Sequence, residues 1–312
     1  MSDLGGTRVP GGTTKTEIEF LRTYVLEQLG RFDDAVTAYL AIPDGRNEYY
    51  GTRATLRVRA IAANDKTRQR LENWRTAQLT AVKTAIAAGD LDRARLIAQS
   101  VLRLTVDQTA RNEVLSQLRD LYSKLPAYQL QDFHLVSLVK EEADTNTHRT
   151  LANQLLTLGL YDEGLPEFLT ARTPVPVASV PPQTNAPPKT GPTLTDEDYT
   201  IAVYALEGHI PNRAVRFAEQ YWRTVPTDYV LELAPRQLVE LLYPVPYRDS
   251  LLKHAPSRNV DPRFVLSIAR QESRFQADAK SVAAARGMRT TIFIGLNVLW
   301  VFALYFVFRT LC

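Results

Sequence analysis

The fold of this chain is most strongly constrained by a helix–glycine–helix pattern that recurs along it. Each copy has an apolar helical segment, a glycine, a charged or polar turn and a second helical segment. Glycine readily adopts the left-handed conformation that ends a helix, and an Asp, Glu or Asn after it suits the start of the next one. The four copies pivot at Gly30, Gly89, Gly159 and Gly208. Small residues in the second segments let the paired helices approach closely, and these are Ala35, Ala94 and Ala214.

This pattern predicts an all-α fold built from tetratricopeptide-like helical hairpins. The glycines are unevenly spaced, which favours an irregular α-superhelix over a strict repeat array. β-Branched residues occur singly inside helical periods, so no strand is predicted. The predicted divisions are a disordered lead-in at 1–15, an α-superhelical domain at 16–172, a Pro-rich linker or loop at 173–193, continued hairpins at 194–245, a separate segment at 246–287 and an apolar tail at 288–312.

Composition limits the classes of function. The chain has 312 residues and a net charge of only +3, and no Lys/Arg cluster stands out, so nucleic-acid binding is not predicted. The one cysteine is Cys312, and no histidine has a second histidine four residues away. We therefore expect no metal site and no disulfide within the chain, and no cofactor is implied.

Two segments interrupt the helical pattern. The Gly/Thr-rich residues 1–15 contain no apolar run typical of a secretory signal. Prolines between residues 173 and 193 exclude a helix interior, so a linker or surface loop is expected, with a proline-rich signalling ligand as the alternative. Thr195, followed by three acidic residues, then predicts a capped helix start.

A single glutamate, Glu272, lies among the apolar positions of a further predicted helix. Asp261 and Pro262 suit the N-cap and first position of this helix. The apolar residues at steps of three and four, which form a stripe that includes Glu272, are Val265, Ile268, Ala269 and Phe275. The residues on the opposite, polar face are Arg263, Ser267, Arg270 and Arg274. A carboxyl against apolar side chains loses hydration, which favours the protonated form of a general acid. The alternative is a surface glutamate paired with a nearby arginine.

Three short motifs lie between Tyr243 and Gly287. They are a Tyr-Pro-x-x-Tyr joint, a helix ending in Glu-Ser-x-Phe, and a segment close to Ser-x-x-Gly-Ala-x-Gly in which Ala284 replaces the first glycine. The positions that fit them are Tyr243, Pro244, Tyr247, Asp261, Pro262, Gln271, Glu272, Ser273, Phe275, Ser281, Ala285 and Gly287. Together they resemble the start of the catalytic domain of soluble lytic murein transglycosylases. Larger members of that family carry an α-superhelical domain before a lysozyme-like one, and the predicted hairpins fit this arrangement.

The resemblance implies that residues 246–287 are part of a transglycosylase SLT domain that acts on the glycan strands of peptidoglycan. Members cleave the β-1,4 bond between N-acetylmuramic acid and N-acetylglucosamine and form a 1,6-anhydro sugar without consuming water. By position, Glu272 is the expected catalytic acid and base, and Ser273 is the expected substrate-binding neighbour. The implied location is the periplasmic side of the cell envelope.

The family pattern ends after Gly287, where Met288, Arg289 and Thr290 stand in place of a Leu-Met-Gln run. We therefore expect a catalytic domain that is truncated, with weak or no activity. The uncharged run from Thr290 to Phe308 has about the length needed to cross a bilayer core, which predicts an apolar helix that anchors the chain in a membrane. A buried core helix and a shifted reading frame are the alternatives.

A second class of function remains open at this point. A membrane-tethered, non-catalytic helical-repeat scaffold could bind a protein partner on its superhelix. A complete sugar cleft favours the enzyme, and the absence of a cleft favours the scaffold.

Overall fold

A computed structural model describes residues 13–138, 146–171 and 194–276 of the chain. Throughout these three ranges the regular structure is helical and no strand occurs, which confirms the all-α prediction. The chain divides into two compact units.

The first unit consists of residues 13–131 and 223–234. Its α-helices are α1 (Lys15–Gln28), α2 (Phe32–Ala41), α3 (Tyr49–Ala63), α4 (Asp65–Ala87), α5 (Leu91–Leu104) and α6 (Gln108–Lys124). Helix α1 packs on α2 and α4 packs on α5, as the predicted hairpins require. The segment 223–234 joins this unit through Asp228, which accepts a hydrogen bond from the Tyr128 hydroxyl at 2.7 Å and pairs with Arg95.

The second unit consists of the described residues 132–138, 146–171, 194–222 and 235–276. Its α-helices are α7 (Thr147–Thr157), α8 (Tyr161–Ala171), α9 (Asp196–Glu207), α10 (Pro211–Trp222), α11 (Arg236–Leu242), α12 (Arg248–His254) and α13 (Pro262–Ser273). Helix α7 packs on α8 and α9 packs on α10, so the hairpin prediction holds in this unit as well. Thr195 forms a capping box with Asp198 at the start of α9, which confirms the predicted helix start.

Three of the four pivot glycines adopt the predicted left-handed conformation. Their φ angles are 72° at Gly30, 77° at Gly89 and 75° at Gly159. In the fourth hairpin the prediction is wrong, because Gly208 has φ −82° and the left-handed residue is His209, with φ 57°. Gly208 is instead required by a close approach: a Cβ there would lie 2.7 Å from the backbone nitrogen of Asp162 and 2.8 Å from the carbonyl carbon of Tyr161.

Some sequence predictions fall on other parts of the chain. Among the described residues, no helix is long and apolar enough to span a membrane. The predicted tail at 288–312, the linker at 173–193 and nearly all of the lead-in lie outside the described residues. Membrane anchoring by the tail therefore stays a prediction.

The close approach at Gly208 gives a first testable prediction. We expect Gly208→Ala to destabilise the protein by about 1–3 kcal/mol, because the added methyl group overlaps the backbone at the start of α8. Gly89→Ala is the matched control, since a Cβ at Gly89 meets no atom within 4 Å and only the left-handed backbone opposes it. Urea denaturation followed by circular dichroism measures both. A smaller cost at Gly208 than at Gly89 would contradict the steric explanation.

Candidate active site

Helix α13 (Pro262–Ser273) is the element that carries the predicted site residues. Its start is as predicted: an Asp261 side-chain oxygen accepts the backbone N–H of Arg263 at 2.8 Å, and a proline occupies the first helical position. It ends because Arg274 and Phe275 both have left-handed backbone, with φ 49° and 65°. This conformation is costly for residues with a side chain, so tertiary contacts must stabilise it.

Phe275 supplies one of these contacts. Its ring is 3% exposed and packs against Val215 of α10 and Ala269 of α13, and Leu266 covers the same cluster. Because the chain leaves the helix before Phe275, this ring does not continue the predicted helical stripe. The prediction that one apolar stripe runs through Glu272 to Phe275 is therefore wrong at its C-terminal end.

Glu219 of α10 supplies the second contact. Its side chain is 21% exposed, and its two carboxylate oxygens bind different arginines. Oε1 accepts a hydrogen bond from Arg270 at 3.0 Å, and Oε2 accepts one from Arg274 at 2.7 Å. These arginines precede and follow Glu272 by two residues, so one carboxylate fixes the last turn of α13 on both sides of the candidate acid.

Arg270 makes two further contacts. Its Nε donates a hydrogen bond to the carbonyl oxygen of Leu242 at 3.1 Å, and its guanidinium lies over the ring of Tyr243, 5.1 Å from the centroid. The side chain is 24% exposed. Arg270 belongs to the predicted polar face but is not turned to solvent, because its charge attaches α13 to α10 and α11.

Glu272 itself is exposed, and among the described residues its carboxylate has no hydrogen-bond or ion-pair partner. The expected apolar surroundings are therefore not found in the part of the chain that the structure describes. The alternative of an ordinary ion pair is not found there either, because Arg270 and Arg274 both bind Glu219. The Glu272 carboxylate remains available to a ligand.

Ser273 follows Glu272 as the last residue of α13 and is partly buried. Its hydroxyl donates a hydrogen bond to the carbonyl oxygen of Ala269, one turn earlier, at 3.2 Å. The donated proton points into the helix, so the hydroxyl oxygen retains lone-pair capacity to accept a hydrogen bond from a ligand.

Sequence reasoning missed Glu219. Its hydrogen bonds to Arg270 and Arg274 span 51 and 55 residues of sequence, and α10 contains no local pattern that singles this glutamate out. The sequence contains one indirect indication, which is that Arg270 and Arg274 flank Glu272 on a helix whose apolar stripe must pack against another helix.

Across the described ranges of the chain, the geometry thus defines a helical protein in which a fixed helix end presents an exposed carboxylate next to a serine hydroxyl. Residues 250–293 match the family model described as Transglycosylase SLT domain. This match confirms, for this segment, the resemblance to a transglycosylase SLT domain that the sequence showed. The match begins later than Tyr243 and extends beyond Gly287.

The type of domain indicates a class of activity and a kind of substrate. A transglycosylase SLT domain indicates lysozyme-like activity of the lytic transglycosylase type, with peptidoglycan of the cell wall as the substrate. No curated protein and no solved structure matches the chain. The family match therefore rests on residues 250–293, and α12 and α13 are the described helices within it.

The attachment of α13 through Glu219 gives a second testable prediction. We expect Glu219→Gln to lower the free energy of unfolding by about 1–3 kcal/mol. The substitution leaves the guanidinium groups of the mostly buried Arg270 and the more exposed Arg274 without their carboxylate. Urea denaturation measures the loss, and amide hydrogen exchange is expected to quicken in α13. Glu240→Gln is the matched control, since Glu240 pairs with Arg236 on the surface of α11 and little change is expected there. Equal effects of the two substitutions would show that the Glu219 contacts do not stabilise the helix end.

Proposed function

We propose that this protein is a lytic transglycosylase that cleaves the bond between N-acetylmuramic acid and N-acetylglucosamine in peptidoglycan. In this proposal the product carries a 1,6-anhydro-N-acetylmuramic acid end. The match of residues 250–293 to the SLT domain supports the general class of activity, that of a lytic transglycosylase. Glu272 is the proposed catalytic residue, and Ser273 is the proposed substrate-binding residue beside it.

One carboxyl group can serve both halves of this reaction. Protonated Glu272 gives its proton to the glycosidic oxygen as the bond from that oxygen to C1 breaks. The resulting carboxylate then takes the proton of the sugar's own 6-hydroxyl while O6 bonds to C1. The carboxyl is restored and no water is consumed. Ordinary glycosidases instead use two carboxyl groups, the second to activate water or to attack C1.

The free carboxylate of Glu272 is the observation that supports this assignment. A general acid must reach the leaving oxygen within hydrogen-bond distance, so it must not be committed to an internal ion pair. The two nearest arginines along the chain are bound to Glu219, which leaves Glu272 exposed at a fixed position. In the proposed arrangement, the helical hairpins that precede this segment guide the glycan strand toward it.

Replacement of the proposed acid is the direct test. We expect Glu272→Gln to lower the release of 1,6-anhydro-muropeptides from purified peptidoglycan by roughly 10²–10⁴-fold, because the amide cannot transfer a proton to the glycosidic oxygen. Mass spectrometry of the soluble products measures the release relative to the unmodified chain. Glu240→Gln removes an exposed carboxylate elsewhere in the same unit and is expected to leave the release unchanged. The comparison between variants does not require a high absolute rate.

Two results would refute the proposal. One is release of the same products by Glu272→Gln at the rate of the unmodified chain. The other is no release by the unmodified chain under conditions in which its helical content is intact. The second result would favour the non-catalytic scaffold, in which the helical hairpins bind a protein partner.

Ser273 has a smaller proposed role. We expect Ser273→Ala to lower kcat/KM by roughly 3- to 10-fold through loss of one hydrogen bond to the sugar. Because the native hydroxyl also bonds to the Ala269 carbonyl, the free energy of unfolding must be measured alongside. Unchanged kcat/KM together with reduced stability would assign Ser273 a purely structural role.

A further inference from the structure

A cavity of about 500 Å³ lies in the second unit beside α10, and its volume is within the range of small-ligand sites. One part of its wall is apolar and is formed by Leu169 of α8, Ile201 of α9 and Phe217 of α10. Ile201 and Phe217 are buried, so this wall belongs to the packed interior of the unit.

Two arginines, Arg213 and Arg216, line the same cavity from successive turns of α10. Neither has a hydrogen-bond or ion-pair partner among the described residues, in contrast to Arg270 and Arg274 of α13. Both arginines are exposed overall. Partial desolvation, followed by the positive charge of Arg216, lowers the pKa of the Arg213 guanidinium. Two neighbouring cations that repel each other and have no ion-pair partner among the described residues are suited to binding an anionic ligand.

The remaining polar groups of the cavity fit a ligand that carries amides as well as charge. Gln220 and Gln276 line it with side-chain amides that can both donate and accept hydrogen bonds. Asp198 also lines it, but its Oδ2 is used in the cap of α9, where it accepts from the Thr195 backbone nitrogen at 3.1 Å and from the Thr195 hydroxyl at 2.8 Å. The cavity therefore combines two cations, amides and an apolar wall with one carboxylate, which is engaged in the helix cap.

We infer that this cavity binds the carboxylate end of an acidic peptide, and that the peptide is the stem peptide of peptidoglycan. The identification of the peptide rests on the proposed function, whereas the anion-binding part rests on the two arginines alone. Stem peptides combine free carboxylates, amide groups and alanine methyl groups. These would contact the arginines, the glutamine amides and the apolar side chains of the cavity, respectively. Gln276 lies four residues after Glu272, so the cavity adjoins the end of the segment that carries the proposed acid.

The test measures binding of a soluble peptide by isothermal titration calorimetry to the full chain. The probe is L-alanyl-γ-D-glutamyl-L-lysine with free carboxylates. We expect the double substitution Arg213→Ala/Arg216→Ala to weaken its binding at least roughly tenfold, because charge-assisted hydrogen bonds are lost. Neither arginine pairs with a carboxylate among the described residues, so the double variant leaves no described carboxylate without its partner. Circular dichroism checks its fold. Arg248→Ala is the matched control, because Arg248 is an exposed arginine of α12 that does not line the cavity. We expect this variant to bind the peptide as the unmodified chain does.

Further arms separate this inference from its alternatives. The fully amidated peptide is expected to bind at least roughly tenfold more weakly than the free acid, because the guanidinium groups then have no anion to bind. Inorganic phosphate that binds as tightly as the peptide would overturn the assignment to a peptide. Failure of the free peptide to bind, or equal binding by the double variant, would overturn the anion site.

A final arm separates failure of this inference from failure of the proposed function. Glu272→Gln is expected to bind the free peptide like the unmodified chain, since Glu272 does not line the cavity. Loss of cleavage with retained peptide binding in that variant supports both proposals. Peptide binding by a chain that shows no cleavage in any form retains the cavity as a peptide site and refutes only the catalytic proposal.

Discussion

The half-buried carboxylate of Glu219 fixes the part of the structure on which the candidate site depends. It binds Arg270 and Arg274, which lie two residues before and two residues after Glu272. A helix end normally frays, because its last carbonyl groups lack partners within the helix. Here the charge pair, together with the buried ring of Phe275, holds two consecutive left-handed residues in place. The position of the candidate acid is therefore set by a side chain of another helix.

This arrangement also bears on why the Glu272 carboxylate has no partner among the described residues. Arg270 lies two residues from Glu272 on the same helix, a spacing at which side chains do not face each other. Glu219 is less exposed and accepts hydrogen bonds from both guanidinium groups, so it holds both side chains and compensates one of their two positive charges. The carboxylate of Glu272 stays exposed and available to substrate, which is what the proposed transfer of a proton to a glycosidic oxygen requires.

The second unit thus contains two sets of arginines with different surroundings. Arg270 and Arg274 are bound to a carboxylate and hold a helix end. Arg213 and Arg216 of α10 line a cavity without a described anionic partner. Helix α10 connects the two, since Glu219 lies one turn beyond Arg216 on the same helix. If both proposals hold, the same helix positions the acid and binds the peptide part of the substrate.

Local features of this chain could be predicted because neighbouring residues determine them. Asp261 accepts a backbone N–H two residues ahead, and Thr195 forms its capping box with a residue three positions away. Three helices end at a glycine whose own left-handed backbone conformation stops the helix, and these glycines are Gly30, Gly89 and Gly159. At Gly208 the same reasoning failed, because the glycine there is required by the approach of α8 and not by its φ angle.

The sequence by itself determined the helical hairpins, the start of α13 and the identity of Glu272 and Ser273 as candidates, since each depends on short spacing or on a motif. Tertiary structure alone decided that Arg270 faces the interior, that Glu219 binds both arginines and that Arg213 and Arg216 share a cavity. These outcomes depend on helices separated by dozens of residues in the chain. Helical periodicity defines which side chains share a face, but only packing between helices determines which charges meet and which remain free.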